Sequence, residues 1–309
     1  MPHSFLSRLP LARFEMDRDH LARERDDLFD ELWADPATRV LVVFQGTALM
    51  SSPDTLALLP VDGVPSGDLR VYLGRSLSTT SPEPAGTPIV VVQLEDALHL
   101  AEADWGDLRR IGNRLGARDA GLFTEALGIL NWHAVHQFSP RTGESTVVEK
   151  GGWVRRDPIS GLEVFPRTDP AIIVGVTDAD DRILLGSNAL WESNRYSLLA
   201  GFVEPGESLE SAVEREVFEE SGIRVVDPVY LGSQPWPFPA SLMLGFKATV
   251  APDFAGDATP DGTEILDLRW FSREELAASL DDIRLPGPTS IARAIIEDWF
   301  GGPIDDGHR

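Results

Sequence analysis

Between Gly201 and Ile223 the chain reads GFVEPGESLESAVEREVFEESGI, and this stretch restricts the rest of the molecule more than any other. A loop rich in glycine and proline, Gly201 to Gly206, leads to Ser208, a residue type suited to cap a helix by accepting a backbone N–H. From Leu209 to Glu220 the apolar residues Leu209, Ala212, Val213 and Val217 recur at helical spacing, so one stripe can face a core. Glu216 stands three residues before Glu219 and four before Glu220, which brings all three carboxylates towards one face of the predicted helix. Neighbouring Glu219 and Glu220 repel at neutral pH unless a cation sits between them. Hard divalent ions with oxygen ligands meet that need, and Mg²⁺ or Mn²⁺ can in turn hold phosphate oxygens. Arg215 is placed to pair with Glu207 and steady the loop against the helix. An acidic helix by itself is most often a plain solvated surface. The complete frame, with Gly201 and Gly222 near its two ends, weighs against that.

Composition bounds the remaining choices. At 309 residues the chain can hold two ordinary domains, each with its own core. Apolar residues make up 42% and charged residues 25%, as in a globular protein. No apolar run reaches the roughly 18 to 20 residues of a membrane span. The start, MPHSFLSRLPLARFEMDRDH, has no continuous apolar h-region, so the expectation is a cytoplasmic protein. Cysteine is absent, which excludes disulfides, a thiol nucleophile and any cysteine-ligated zinc or iron–sulfur centre. The histidines are His3, His20, His99, His133, His136 and His308. Chemistry between residues 137 and 307 therefore has to run on carboxylates, hydroxyls or bound metal. The net charge of −23 argues against nonspecific binding to DNA or an anionic membrane. A small phosphorylated substrate stays compatible with it where bound cations neutralise the site.

The chain reads as two α/β regions joined by a polar segment. In the first, Met16 to Trp33 has apolar residues at helical spacing, and strands are predicted at Arg39–Gly46, Asp68–Gly74 and Thr87–Glu95. Helical segments follow around Trp105–Leu115 and Leu122–Val135. Residues 139 to 169 are polar and punctuated by glycine and proline. The second region opens with a predicted hairpin, Ala171–Asp178 and Arg182–Ser187. Tyr196–Val203 leads into the acidic frame. Strands are then predicted at Val225–Ser233, Ser241–Val250 and Ile265–Phe271, with closing helices near Arg273–Leu280 and Ser290–Trp299. The predicted divisions are 1–135, 136–169 and 170–309.

The Gly201–Ile223 segment fits the pattern G-x5-E-x7-R-E-U-x-E-E-x-G-U at Gly201, Glu207, Arg215, Glu216, Val217, Glu219, Glu220, Gly222 and Ile223. Downstream, Ser233 to Ser241 reads SQPWPFPAS. With both elements the chain resembles the NADH pyrophosphatase (NudC-type) branch of the Nudix hydrolases over roughly residues 120 to 300. The resemblance implies an α/β fold of α+β character. It is a Nudix α/β/α sandwich with a mixed sheet, preceded by a smaller Nudix-like α/β domain at 1–135.

The resemblance also assigns residues. Glu216 and Glu220 of the frame, with Glu264 before a late strand, match metal-binding positions for Mg²⁺ or Mn²⁺, and Glu219 is expected to join them. Glu207 and Arg215 complete the catalytic frame. Gln234, Pro235, Trp236, Pro237, Phe238, Pro239, Ala240 and Ser241 are expected to line the substrate pocket, and Ala292 matches a backbone contact to substrate. Phe202 and Phe165 match aromatic positions that sandwich a nicotinamide ring from two subunits of a homodimer; as plain residues they also suit a core. Family members often carry a zinc ribbon of two C-x2-C pairs. Here Ser139, Thr142, Asp157 and Ser160 stand at those positions, so no structural zinc is expected. Nearby His133 and His136 read as structural.

The implied reaction is hydrolysis of NADH, and less favourably NAD⁺, to nicotinamide mononucleotide and AMP. In the absence of histidine the general base falls on a glutamate, Glu220 before Glu219. Alternatives within the class are ADP-ribose, diadenosine polyphosphates and the NAD cap of an RNA 5′ end. A nucleotide sensor without turnover would be expected to show a damaged frame. A zinc-dependent nucleic-acid module is excluded by the missing cysteines.

Overall fold

The computed structural model describes residues 5–64, 69–79, 82–97, 100, 102–192 and 194–307. Asp68, which opens one predicted strand, and His3, His99 and His308 lie outside these. By its contacts the chain divides into two compact units. Among the described residues, one holds those within 10–168 and Trp236–Ala240, and the other those within 169–235 and 241–307 together with Phe5 to Leu9.

The first unit contains β1 (Met16–Asp17), α1 (Leu28–Ala34), β2 (Arg39–Phe44), β3 (Thr47–Ser52), β4 (Thr55–Leu56), β5 (Leu58–Pro60), β6 (Leu69–Ser76), β7 (Pro88–Gln93), β8 (Trp105–Asp107), α2 (Leu108–Ile111) and α3 (Ala117–Val135). The sheet runs β1-β6-β7-β2-β3-β4, with β5 also on β2 and β8 on β3. β2 and β7 are parallel, and their near-continuous apolar runs, RVLVVF and PIVVVQ, are those of strands covered on both faces. Alternate residues divide between two cores. Leu41, Val43, Ile89 and Val91 pack with Leu122, Phe123 and Leu130 of α3. Val40, Val42, Val90 and Val92 pack with Leu28 and Leu32 of α1.

Two expected helices are shorter than their spacing suggested. In Met16–Trp33 only Leu28–Ala34 is α-helical. Asp17 accepts the backbone N–H of Asp19, and Asp19 has a φ of 43°, so a side-chain turn displaces the helix there. In Trp105–Leu115 the first three residues pair with β3, and Asp107 then caps the helix by accepting the N–H groups of Arg109 and Arg110.

The segment after α3 is not a bare linker. It forms a three-stranded sheet from β9 (Val147–Glu149), β10 (Val154–Arg156) and β11 (Glu163–Val164). His133 is buried beneath it, with Nε2 donating to the Gly152 carbonyl at 2.8 Å and Nδ1 facing an Arg155 N–H at 2.9 Å. Both ring nitrogens are engaged, and burial lowers the imidazole pKa to about 4. His136 Nδ1 bonds the Trp132 carbonyl at 3.1 Å.

The second unit contains β12 (Asp169–Thr177), β13 (Ile183–Asn188), β14 (Leu199–Phe202), α4 (Leu209–Ser221), β15 (Val225–Trp236), β16 (Ser241–Val250), β17 (Ile265–Phe271), α5 (Arg273–Ser279) and α6 (Ile291–Phe300). Its sheet order is β15-β16-β12-β13-β17, with β14 also on β12. It is mixed, because β12 and β16 run parallel from Asp169↔Ser241 to Thr177↔Thr249 while β13, β14 and β17 pair antiparallel. Ile172, Val174 and Val176 of β12 pack with Ala212, Val213 and Val217 of α4. On the other face Ile295 of α6 lies over Gly175, and Ile291 over Gly245. The helix–sheet–helix layering expected from the resemblance is present. Among the described residues no helix is long and apolar enough to cross a membrane.

Candidate active site

The acidic frame folds as a strand, a loop and a helix. Ser208 caps α4 by accepting the N–H of Ser211, and Gly222 ends it in the left-handed region with a φ of 69°. In β14 the backbone of Gly201 lies directly beneath the Glu216 carboxylate, and a Cβ at position 201 would overlap it. The glycine is needed for this close approach.

Arg215 ties the loop to the helix. Its Nε donates to Glu207 Oε1 at 2.6 Å and its Nη2 to Glu207 Oε2 at 2.9 Å. Nη2 also donates to the Phe202 carbonyl at 2.9 Å, while Nη1 lies 2.9 Å from both Glu216 Oε1 and Glu219 Oε2. The expected pair with Glu207 is therefore one part of a wider hub. The Arg215 hydrogen bonds hold the Glu207 carboxyl down at about 2, and its Oε2 accepts the Glu204 N–H as well.

Glu220 points the other way. It is buried, its Oε2 has no hydrogen-bond partner, and burial with the negative charges of Glu264, Glu216 and Asp261 raises its pKa to about 8. Burial also raises Glu216, against the pull of Arg215. Glu264 stands just before β17, opposite the bulge at Ser187/Asn188, with Asn188 Nδ2 3.5 Å from its Oε1. Glu219 is more exposed and faces Arg215. Among the described residues no three carboxylate or imidazole groups stand close enough to hold an ion as they are. The donor set nevertheless suits a hard divalent cation. Glu220 has a buried oxygen without a partner, and the negative charges of Glu264, Glu216 and Asp261 bear on it.

The remaining expected residues are scattered in their surroundings. Gln234 is fully buried, and its Nε2 donates to the Thr289 carbonyl at 3.0 Å. Pro235 ends the part of this stretch that belongs to the second unit; Trp236, Pro237, Phe238, Pro239 and Ala240 belong by their contacts to the first, and Ser241 opens β16. Trp236 and Phe238 meet edge to face at 4.9 Å. Ala292 is buried near the start of α6, its N–H donating to the cap Ser290 Oγ at 3.2 Å. Phe165 and Phe202 are each 58% exposed, so neither is a core residue.

Residues 166–292 match the NUDIX domain, and residues 37–132 match the domain described as the NADH pyrophosphatase-like rudimentary NUDIX domain. The chain thus carries a Nudix domain preceded by a rudimentary Nudix domain of the NADH pyrophosphatase-like kind, and its relatives include NudC homologues. It is 46% identical over 203 residues to the NAD-capped RNA hydrolase NudC of Mycobacterium bovis, an alignment covering 62% of this chain and 64% of that protein. The same values hold for the protein of that name in Mycobacterium tuberculosis. The human NAD-capped RNA hydrolase NUDT12 is 36% identical over 201 residues, covering 60% of this chain and 43% of that protein. The chain thus spans less than two thirds of the length of these relatives.

Further residues hold expected site residues in place and lie outside both sequence patterns. Asp261 accepts the N–H groups of Glu264 and Ile265 at 3.0 and 2.7 Å and bonds the Thr263 hydroxyl, which fixes the backbone that carries Glu264. These bonds, led by the Thr263 hydroxyl, lower its carboxyl to about 2. The signal for it is the Asp-Gly turn in DGTE, a type that favours side-chain to backbone bonds. In the rudimentary Nudix unit, Asn131 Nδ2 donates to the carbonyls of Pro237 and Pro239 at 2.9 and 3.1 Å. The Arg109 guanidinium lies 4.0 Å from the Phe238 ring centre. Nothing local in the sequence marks either residue.

Proposed function

We propose that the chain hydrolyses the pyrophosphate bond of NADH, and of NAD⁺ less favourably, giving nicotinamide mononucleotide and AMP. The observation that carries this reading is the buried, unpartnered Glu220 oxygen beside Glu216 and Glu264. A bound Mg²⁺ or Mn²⁺ supplies positive charge to the diphosphate oxygens and lowers the pKa of an attacking water. Glu216, Glu220 and Glu264 are the residues to hold it, with Glu219 next to them.

The chain's own groups do the rest. Glu220 is the group to take the proton from the attacking water. Arg215 holds Glu207 and the Phe202 carbonyl, so the loop keeps its place while the acids turn towards substrate. The exposed rings of Phe202 and Phe165 are available to stack on a nicotinamide, one from each subunit of a homodimer. Residues Gln234 to Ser241 and the backbone at Ala292 set the substrate's position.

A second reading is hydrolysis of the NAD cap of an RNA 5′ end, and the names of the mycobacterial and human relatives favour it. With a net charge of −23, RNA contact is then confined to the cap. Incubation with NADH, NAD⁺ and an NAD-capped RNA, each with Mg²⁺ or Mn²⁺, followed by chromatography, tests both readings. Release of AMP and reduced nicotinamide mononucleotide from NADH is expected. If nicotinamide mononucleotide comes only from the RNA, the chain is a decapping enzyme alone, and if from none of the three, both readings fall.

A further inference from the structure

The NudC-type resemblance implies a zinc ion at positions 139, 142, 157 and 160, and the residues present there do not fit one. Zinc takes four thiolate or imidazole donors in a structural site, whereas these positions offer three neutral hydroxyls and one carboxylate. The four side chains converge all the same. Asp157 is fully buried, and its Oδ2 accepts the hydroxyls of Ser139, Thr142 and Ser160 at 2.7, 2.8 and 2.7 Å. Its Oδ1 accepts the N–H groups of Ile159 and Ser160 at 2.9 and 3.2 Å. Hydrogen bonds, that of Ser160 foremost, hold this carboxyl well below the usual carboxylate range.

Each hydroxyl gives its one proton to Asp157 and so has only acceptor capacity left. That capacity is used within its own turn. Ser139 Oγ accepts from Arg141 N and Thr142 N at 3.2 and 3.3 Å, Thr142 Oγ1 from Glu144 N at 3.3 Å, and Ser160 Oγ from Leu162 N at 3.3 Å. The backbone repeats the same arrangement twice. Ser139 N donates to the Glu144 carbonyl and Gly143 N to that of Ser139; Asp157 N donates to the Leu162 carbonyl and Gly161 N to that of Asp157. Gly143 and Gly161 have φ values of 77° and 71°. In one turn the leading side chain is Ser139, in the other Asp157, and each accepts the N–H groups two and three residues on.

We propose that the Asp157 carboxylate is the fastener of this connector. It joins two equivalent turns through three hydroxyls, and so replaces the metal with a hydrogen-bonded anion. A buried charge is tolerated only where donors surround it, and here five do. The connector then needs neither zinc nor thiols to fold.

The test uses the full chain and does not depend on its catalysis. Protein grown with added zinc is expected to carry well under one zinc per chain, and a zinc chelator is expected to leave amide exchange across residues 139–162 unchanged. Asp157→Asn turns one acceptor into a donor facing hydroxyls, and should speed exchange of the Ile159 and Ser160 amides by about tenfold or more, with α4 unaffected. The combined replacement Ser139→Cys, Thr142→Cys, Asp157→Cys and Ser160→Cys should take up one zinc, or one cobalt with tetrahedral thiolate absorption. Stoichiometric zinc in the unaltered chain, loosening by the chelator, or unchanged exchange in Asp157→Asn would each overturn the proposal. So would a folded four-cysteine protein that binds no metal; if that protein does not fold, the Asn variant and the zinc content decide.

Discussion

The Glu216 carboxylate rests on the backbone of Gly201, two positions separated by the whole of the loop that α4 follows. A methyl group at residue 201 has no room unless Glu216 turns away. Gly201→Ala is therefore expected to lower NADH turnover about a hundredfold, the cost of misplacing a reacting group by about an ångström. The Mg²⁺ concentration at half-maximal rate should rise with it. A variant within a few-fold of the unaltered rate would show that Glu216 does not hold the ion.

Glu220→Gln separates stability from activity. The acid is buried with an unpartnered oxygen among other acids, so its neutral isostere relieves a burden on the metal-free fold. The melting temperature without metal is expected to rise by about 2–4 °C for each kcal/mol relieved. Turnover should fall by roughly 10²–10⁴ as the base is lost. Full activity in this variant would move the base to another glutamate.

Arg215→Lys tests whether geometry or charge matters in the hub. A lysine keeps the charge but cannot reach Glu207, Glu216, Glu219 and the Phe202 carbonyl together, as the planar guanidinium does. The loop from Phe202 to Glu207 should exchange its amides faster, and thermal stability should drop by a few degrees. Unaltered exchange in that loop would reduce the hub to a surface charge pair.

His133 gives a pH signature independent of catalysis. Its folded pKa of about 4 lies below the ordinary value, so the fold favours the neutral ring. The associated stability is complete above about pH 6.5, where the unfolded histidine is also neutral, and is lost progressively as the pH falls through 4. The full loss is on the order of 3 kcal/mol. Urea unfolding at several pH values should show this slope, and His133→Gln, which can still donate to the Gly152 carbonyl, should flatten it. An unchanged slope would assign the acid sensitivity to carboxylates.

What the sequence made legible was local. The helix at Leu209–Ser221, its Ser208 cap and the Arg215–Glu207 pair follow from residues close together in the chain. So does β12 of the second unit, whose run Ala171–Val176 carries no charged residue. Met16–Trp33 misled because the Asp17 side chain accepts the Asp19 N–H and closes a turn there, a competition that apolar spacing cannot register. Asn131 and Arg109 stayed hidden because their partners, Pro237 to Pro239, lie about a hundred residues away. The connector was the largest gap. The resemblance marks Ser139, Thr142, Asp157 and Ser160 as positions without cysteine, but their bonding to one another needs the fold.

The division of the chain between its two units bears on any attempt to take it apart. Because Trp236–Ala240 clusters with residues 10–168, a fragment starting at Asp169 keeps every acid of the frame but leaves that turn without Asn131 and Arg109. Because Phe5 to Leu9 cluster with the other unit, the same fragment also strips Leu6 and Leu9 from beside Gly232. No single scissor cut yields either unit whole. Expression designs and deletion series on this protein have to respect that each unit draws on two or more separate stretches of sequence.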